Sequence, residues 1–428
     1  MTDSNALPAA HARGGSGFRR ATLALLAAGI TTFMTLYCVQ ALLPALSTDL
    51  RLSPAAASLT ISVSTAAMAV AVVPLTVLSD AWSRTGMMTL SLTSAAVLGI
   101  TSAFASNFTT LLVIRALEGL ALAGLQATAM SYLSEEVHPG SLGHAMGLYV
   151  AGNGIGGMAG RLIADGILEV TGSWRWALGG VGLVAAAAAV FFRLSVPPSV
   201  RFVRREPQAR ALAAAITRAL PDSGLLRLYV IGFTAMAAFV TVYNYLGFRL
   251  IAAPFQLSQT AAGLLFVAYI AGSFSSTTAG RLVDRRGRGR VLWPALVIAL
   301  VGLATMLIPN LVTVILGLVV FTIGFFAAHA VASGWVAARS AAMGAQGSAV
   351  YLFLYYLGSA VGGSLGGLAY SATAWHGITL YCGALLATAL ISAATLRHLR
   401  PPNPLRPTVD HGTTADTSTA KDPTPNRT

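Results

Sequence analysis

Charged residues are scarce in this chain of 428 residues. Only 10% of the residues are Asp, Glu, Lys or Arg, whereas 55% are hydrophobic; a typical soluble protein carries about 25% charged residues. So few charges cannot cover the surface of a soluble fold of this length, and the mean hydropathy of +0.72 agrees. The composition therefore excludes a soluble protein and predicts an all-α integral membrane protein.

Cysteine and lysine are nearly absent. The two cysteines, Cys38 and Cys382, both lie in apolar runs, which excludes a disulfide framework or a CxxC metal site. Lys421 is the only lysine, so the net charge of +13 comes from arginine. In a soluble chain such a charge is typical of nucleic-acid binding. Here it bears on membrane topology instead, and we expect no nucleic-acid partner and no bound metal.

Twelve stretches reach the roughly 20 mostly apolar residues that a helix needs to cross a bilayer. They predict an N-terminal six-helix bundle at 19–194 and a C-terminal one at 226–396. A linker with an amphipathic surface helix is expected at 195–225, and disordered tails at 1–18 and 397–428. The predicted spans are 21–43, 56–78, 86–106, 109–133, 143–167, 174–194, 226–248, 258–280, 290–309, 311–337, 346–371 and 376–396.

The basic residues are distributed unequally between the two sides of the membrane. With the N-terminus placed in the cytoplasm, 22 of the 27 basic side chains fall on the cytoplasmic side. Only Arg51, Arg175 and Arg249 fall in the loops of the other side. Because cytoplasmic loops carry an excess of Lys and Arg, both termini are expected in the cytoplasm.

Segments of the first half recur in the second, about 206 positions later. Phe33-x-Thr35-x-Tyr37 in the first predicted span recurs as Phe239-x-Thr241-x-Tyr243 in the seventh. A parallel repeat of this kind predicts two pseudo-symmetric bundles with the substrate site between them. Small residues also let helices approach closely, so the repeated glycines predict helix packing, either static or adjusting during transport. They are Gly152, Gly156, Gly157 and Gly160 in the fifth span, and Gly358, Gly362, Gly363 and Gly366 in the eleventh.

Two loops carry an acidic residue among arginines. The loop after the eighth span reads Gly280-Arg-Leu-Val-Asp284-Arg285-Arg286-Gly287-Arg288. A carboxylate at a helix end can pair with arginines in one conformation and release them in another. Arginines that only set the topology are the alternative. The predicted switch residues are Asp80 and Arg84 after the second span, and Gly280, Asp284, Arg285, Gly287 and Arg288 after the eighth.

Three motifs resemble those of one transporter family. The loop from Gly280 to Arg288 resembles the G-x-L-x-D-R-x-G-R signature of the major facilitator superfamily, and Arg115-Ala-Leu-Glu118-Gly119 resembles its R-x-x-Q-G motif. The glycines of the fifth span resemble the family's antiporter motif, G-x-x-x-G-P-x-x-G-G. Here Gly157 stands in the place of the proline and Arg161 in that of the last glycine.

The resemblance covers about 20–396 and is closest to bacterial efflux permeases, described as drug-efflux-like or arabinose-efflux-like. It implies a monomeric secondary transporter in the bacterial inner membrane, which alternates between two conformations and moves a small-molecule substrate across the lipid bilayer. The energy source it implies is a proton gradient, with no cofactor.

Four charged residues interrupt predicted spans. Arg115 and Glu118 lie three positions apart on the fourth span, and Arg161 and Asp165 lie four apart on the fifth, so each pair shares a helix face. Charges inside a membrane are costly and usually functional. They predict proton uptake at Glu118 or Asp165, controlled by a movable arginine. Two neutralised pairs that only join helices are the alternative. His329, in the tenth span, is expected as a proton relay or as a packing residue.

By analogy with the family, the first, fourth, seventh and tenth spans line the substrate cavity. Their aromatic and polar side chains are the predicted substrate contacts, together with one residue of the fifth span. These candidates are Tyr37, Gln40, Gln126, Asn153, Tyr243, Asn244 and Trp335.

The function that these patterns favour is proton-coupled efflux of small organic molecules, whether drug-like, amphipathic or sugar-like. A facilitator or importer of sugars or organic acids is the alternative, and a non-transporting membrane sensor belongs to a third class. The chain contains no HExxH, GxSxG or P-loop motif, so we do not expect an enzyme or an ATP-driven pump.

Overall fold

The computed structural model describes residues 10–79, 81–202, 204, 217, 221–340 and 345–396, which are almost entirely helical. The predicted all-α class is confirmed. A helix suits the interior of a membrane because it satisfies its own backbone hydrogen bonds. The helices are α1 Ser16–Tyr37, α2 Leu43–Asp49, α3 Pro54–Ser79, α4 Arg84–Ser102, α5 Phe108–Glu136, α6 Pro139–Thr171, α7 Trp174–Ser195, α8 Ser223–Ile251, α9 Gln259–Gly263, α10 Ala268–Arg286, α11 Arg288–Thr305, α12 Leu311–Arg339 and α13 Ala345–Leu396.

Twelve helical passes result, as predicted. In the described part of the chain, nine helical stretches are long and apolar enough to cross a membrane on their own. The last of them, α13, contains two passes, because the backbone leaves the helical region at Thr373 and Ala374. The remaining two passes are α4 and the glycine-rich α6. Residues 1–9 of the predicted tail at 1–18, the predicted tail at 397–428 and most of the predicted linker helix lie outside the described residues, whereas α1 begins at Ser16, inside the first predicted tail.

Several helices extend beyond the predicted spans. The fifth predicted span, 143–167, lies within α6, which is 33 residues long. Hydropathy detects only the segment that matches the hydrocarbon core, whereas the helix continues until its ends are capped. Pro139 occupies the first turn, and Gly172 ends α6 in the left-handed conformation at φ +65°, which glycine adopts without strain.

Two passes are not regular helices. The first pass tightens into a 3-10 turn at Cys38–Gln40 before α2, and the eighth does so at Leu264–Val267, between α9 and α10. Such interruptions often mark a functional site, because they change the direction of side chains within the membrane. Nothing in the hydropathy pattern predicts them.

The early and late helices form two sets, and α3 and α13 make the most extensive contact between the sets. Among the first seven helices, α1 packs on α6 and α3 on α5; among the later ones, α8 packs on α13 and α11 on α12. Contacts between the sets join α3 to α13 and α6 to α9 and α10. We call the helix ends at which Ser16 and Leu396 lie the terminal side, and the opposite ends the far side.

Candidate functional site

Arg161 lies in the far half of α6 and is 1% exposed. Its Nε donates a hydrogen bond to Oε1 of Gln40 at 2.7 Å. Three aromatic rings surround the guanidinium, with centroids 4.9 Å away in Tyr37, 4.9 Å in Phe266 and 4.7 Å in Tyr269. The two 3-10 turns supply Gln40 and Phe266, which explains their position: each turns a side chain of an otherwise regular pass toward Arg161.

Gln40 continues this contact into the second half of the chain. Its Nε2 donates to Oδ1 of Asn244 on α8 and lies 3.5 Å from the carbonyl oxygen of Val240. Arg161, Gln40 and Asn244 therefore form a buried chain of polar groups that links the two sets of helices. The sequence predicted Gln40 and Asn244 as separate substrate contacts, and the structure brings them together.

The expected pair of Arg161 and Asp165 is not formed. Among the described residues, no carboxylate lies within ion-pair distance of Arg161. Asp165 instead accepts a hydrogen bond from Nε2 of Gln259 at 3.4 Å, across the boundary between the two sets of helices. The four-residue spacing predicts a shared helix face, but the aromatic rings and Gln40 hold the guanidinium away from Asp165.

Asp165 lies directly against α9. A side chain at Gly263 would overlap the carboxylate of Asp165, so the glycine permits this approach. A crevice on the far side lies beside the same region. It is lined by Gln40, Ala41, Tyr243, Leu246, Gly247, Gln259, Ala262, Gly263, Leu265 and Phe266.

Arg115 and Glu118 form the second buried charged pair, as the sequence predicted. Arg115, 1% exposed, pairs with Glu118 and donates to three backbone carbonyls. These belong to Thr35 at 3.1 Å, Leu36 at 2.6 Å and Thr60 at 3.4 Å. All of these partners lie on α1, α3 and α5, within the first set of helices, so the pair does not contact the second set.

Hydrogen bonds between the two sets of helices lie on the far side or in the far half. Nε2 of Gln259 donates to the carbonyl oxygen of Ala41 at 2.6 Å, and Thr260 Oγ1 donates to Glu169. Further along the boundary, Ser58 Oγ lies 3.4 Å from the carbonyl oxygen of Gly363. Between described residues, no hydrogen bond or ion pair was found that joins the two sets on the terminal side.

The repeated glycines form two equivalent helix contacts. A side chain at Gly152, Gly156 or Gly160 of α6 would overlap the backbone of α1, and one at Gly358, Gly362 or Gly366 of α13 would overlap α8. The predicted packing role therefore fits these six. Gly157 faces Tyr269 and Gly363 faces Ser62, so these two lie at the boundary between the sets.

The predicted switch loops are unequal. Arg84 binds Glu135 through Nη2 at 2.7 Å and Ser79 through Nη1 at 2.6 Å. Asp80 lies outside the described residues. Gly280, Asp284, Arg285 and Arg288 are exposed at the turn from α10 to α11, where Gly287 adopts φ +82°. No described residue forms an ion pair with Asp284. The loop after the second span matches the family signature less completely than the loop after the eighth, yet its Arg84 is the one that forms an ion pair in this structure.

The remaining predicted residues have different surroundings. Nδ1 of His329 lies 3.0 Å from the Tyr351 hydroxyl, and its ring packs against that of Tyr355 in a tilted arrangement, with a centroid separation of 4.5 Å. This setting within the second set of helices is typical of a packing residue. Tyr243 is buried and bonds to Thr322 at 2.7 Å. Gln126, Asn153 and Trp335 are half-buried.

Sequence reasoning missed three residues of the site. Gln259, Phe266 and Tyr269 of the eighth pass contact Asp165 or Arg161. Their only signal was an unusual density of polar and aromatic side chains at the start of that pass. Glu135, the partner of Arg84, was also missed, although it lies in a conspicuous pair of glutamates.

Comparisons with known proteins agree with this architecture. The family model described as Major Facilitator Superfamily matches residues 25–250 and 228–423. The chain is 40% identical over 388 residues to a Bacillus subtilis (strain 168) protein named uncharacterized MFS-type transporter YybF, covering 90% of this chain and 96% of that one. It is also 40% identical over 384 residues to inner membrane transport protein YnfM of Escherichia coli (strain K12), covering 90% and 92%.

A solved structure shares the fold at low sequence identity. It is described as a bacterial homologue of the human lysosomal transporter Spinster, in an inward-facing and unoccupied conformation. The TM-score is 0.74 at 17% identity, with 90% of this chain and 97% of that chain covered.

Proposed function

Because the chain belongs to the major facilitator superfamily of membrane transporters, we propose that it is a secondary active transporter that exports small organic molecules in exchange for protons. The excess of arginine on the terminal side supports cytoplasmic termini. The relative named an inner membrane transport protein supports the bacterial inner membrane as its location. The resemblance of residues 20–396 to bacterial efflux permeases supports the efflux branch of the family.

The observation that carries this proposal is the position of the contacts between the two sets of helices. We treat these sets as two six-helix bundles that rock about a central substrate site. The hydrogen bonds of Gln40, Gln259 and Thr260 then hold the bundles together on the far side. In the other conformation these bonds break, and contacts form on the terminal side instead. The exposed Asp284 and Arg288 are available for that second set of contacts.

Asp165 is the residue that we assign to proton coupling. A coupling group must change its surroundings between the two conformations. Asp165 meets this condition, because its partner Gln259 belongs to the opposite bundle. When the far side opens, Asp165 loses the hydrogen bond that Gln259 donates; the protonated carboxyl is then favoured, and Asp165 takes up a proton from the far side. When the far side closes again, Gln259 donates to the ionised carboxylate and favours it, so the proton is released toward the terminal side.

Glu118 does not meet the same condition. Its partner Arg115 is held by carbonyls of the same bundle, so the pair moves as one body. We assign it to the stability of the first bundle.

The test compares two carboxylates in proteoliposomes that contain a pH-sensitive dye and an imposed substrate gradient. Candidate metabolites and drugs are first screened for proton movement with the unmodified protein. We expect Asp165→Asn to abolish substrate-driven proton movement while exchange of labelled for unlabelled substrate continues. Glu118→Gln should retain coupling, as should the control Asp49→Asn, which alters an exposed far-side carboxylate within one bundle.

Each result has a definite reading. Loss of coupling in Glu118→Gln together with its retention in Asp165→Asn would contradict our assignment. Substrate accumulation that ignores the pH gradient in the unmodified protein would contradict proton coupling itself. Uptake by intact cells, with no uptake by everted vesicles, would contradict export.

A further inference from the structure

Arg161 is a buried cation, and no counter-ion accompanies it among the residues that the structure describes. It is 1% exposed, and its polar contacts are the neutral Gln40 and a backbone carbonyl of its own helix. A buried charge that lacks an opposite charge is strongly unfavourable. In a membrane protein, such a residue usually faces a substrate or ion pathway. The antiporter motif that this helix resembles has glycine at the position of Arg161.

Two buried groups that can donate a hydrogen bond lie at or next to Asn244, the partner of Gln40, and have no partner among the described residues. Asn244 uses its Oδ1 to accept from Gln40, while its Nδ2 is buried with no partner among the described residues. Ser62 Oγ is likewise buried and unpartnered. The two lie close together, since an ideal Cβ at Gly363 would be 3.0 Å from Asn244 Nδ2 and 3.2 Å from Ser62 Oγ. A carboxylate is a pure acceptor and matches these two donors.

Flat aromatic rings continue from the guanidinium into the second bundle. The ring of Phe266, which contacts Arg161, stacks on Tyr243 with a centroid separation of 5.6 Å. Tyr243 in turn packs on Phe239 at 4.8 Å, and Phe239 stacks on Phe325 at 3.8 Å. Aromatic faces of this kind bind planar apolar groups. The described residues offer one cation at this place, which suits one negative charge better than a phosphate.

We propose that the substrate is a planar organic monocarboxylate, and that its carboxylate binds Arg161 in place of Gln40. This inference rests on the proposed transport function. The carboxylate would replace Gln40 Oε1 as the acceptor of the Arg161 guanidinium. Gln40 would then be released from Arg161, and its contact with Asn244 would loosen. Substrate binding is thereby linked to separation of the bundles on the far side.

The test uses the full chain in lipid nanodiscs, with benzoate and phenylacetate as probes and their neutral amides as matched controls. Calorimetry should detect the two carboxylates and not the amides. Arg161→Gln should weaken benzoate binding about 10- to 100-fold, as expected for loss of a charge-assisted hydrogen-bonded pair. Arg161→Lys, which keeps the charge, should bind with intermediate affinity.

Arg249→Gln is the matched control. Arg249 also lies against aromatic rings, with centroids 4.6 Å away in Trp375 and 5.3 Å in Phe255, but it lies within the second bundle. Its replacement should leave benzoate binding unchanged. The inference is overturned if neither carboxylate binds, if benzamide binds as tightly as benzoate, or if Arg161→Gln binds benzoate normally.

Transport measurements separate this inference from the function on which it rests. One outcome contradicts the anion site alone: Arg161→Gln moves a neutral solute with proton coupling like the unmodified protein, and the unmodified protein does not bind benzoate. The proposed transport function is then retained. The opposite outcome contradicts the transport function alone: benzoate binds through Arg161, but no solute or proton crosses the membrane. The proposed anion site is then retained.

Discussion

At the scale of single residues, Arg115 and Glu118 contribute to stability through mutual compensation. Glu118→Gln leaves the Arg115 guanidinium buried without its ion-pair partner. We expect the variant to lose about 3 kcal/mol of stability, near the range for breaking a buried pair from one side. The measurement is thermal unfolding of the purified protein, with Asp49→Asn as the exposed control.

A double variant sharpens this prediction. Replacing Arg115 and Glu118 together by methionine removes both buried charges, so the double variant should be more stable than Glu118→Gln alone. An unfolding temperature for Glu118→Gln equal to that of the unmodified protein would contradict the buried ion pair.

The two predicted charge pairs show how far the spacing of residues along a helix can predict an ion pair. Arg115 and Glu118 pair, but Arg161 and Asp165 do not, although both spacings place the residues on one face. Spacing along a helix predicts which face two side chains share. It does not predict which other residues bind those side chains instead. The partner of Arg161 is Gln40, 121 positions away in the sequence, and no local pattern contains that information.

At the scale of helices, glycine positions determine how closely α1 and α6 approach. A methyl group at Gly156 would overlap the backbone of Ile30. We therefore expect Gly156→Ala to cost about 1–3 kcal/mol, as overpacking does, and to lower the unfolding temperature and yield of purified protein.

Gly147→Ala is the matched control on the same helix. Gly147 lies on α6 with open space around it. Alanine there should be neutral or should stabilise the protein by about 0.5–1 kcal/mol, because glycine is a poor helix former. Equal effects of the two substitutions would show that the glycines act through helix propensity and not through packing.

The helices themselves were largely predictable, because each pass is long and apolar. The repeated glycines also predicted close helix packing in α6 and α13, but not the partner helices, which are α1 and α8. The 3-10 turns at Cys38–Gln40 and Leu264–Val267 were not predictable. Both are stabilised by tertiary contacts around Arg161, and such contacts leave no periodic signal in the segments that bend.

At the scale of the whole molecule, transport requires the far-side contacts to open. We expect a reducible crosslink between Glu169→Cys and Thr260→Cys, introduced after removal of both native cysteines, to stop transport. These side chains join opposite bundles. Reduction of the crosslink should restore the original rate, measured as substrate exchange in proteoliposomes.

A second crosslink on the same side provides the control. Asp49 and Arg175 lie 3.1 Å apart, but both belong to the first bundle. Joining Asp49→Cys to Arg175→Cys should leave transport intact. Continued transport after complete crosslinking of 169 to 260 would contradict rocking about the centre.

Arg161, a buried cation with no carboxylate partner among the described residues, also bears on how the chain arose. At the offset that relates the glycines, the equivalents of Arg161 and Asp165 are Gly367 and Ser371. A symmetric ancestor assembled from two identical six-helix subunits would have presented this arginine twice across its axis or not at all. Fusion of two such copies into one gene would allow a single charge at the centre; here Gly367 lies close to Ala55 at the opposite boundary. Chemical asymmetry at the axis would thus be a consequence of gene fusion, which a homodimer cannot achieve by point mutation.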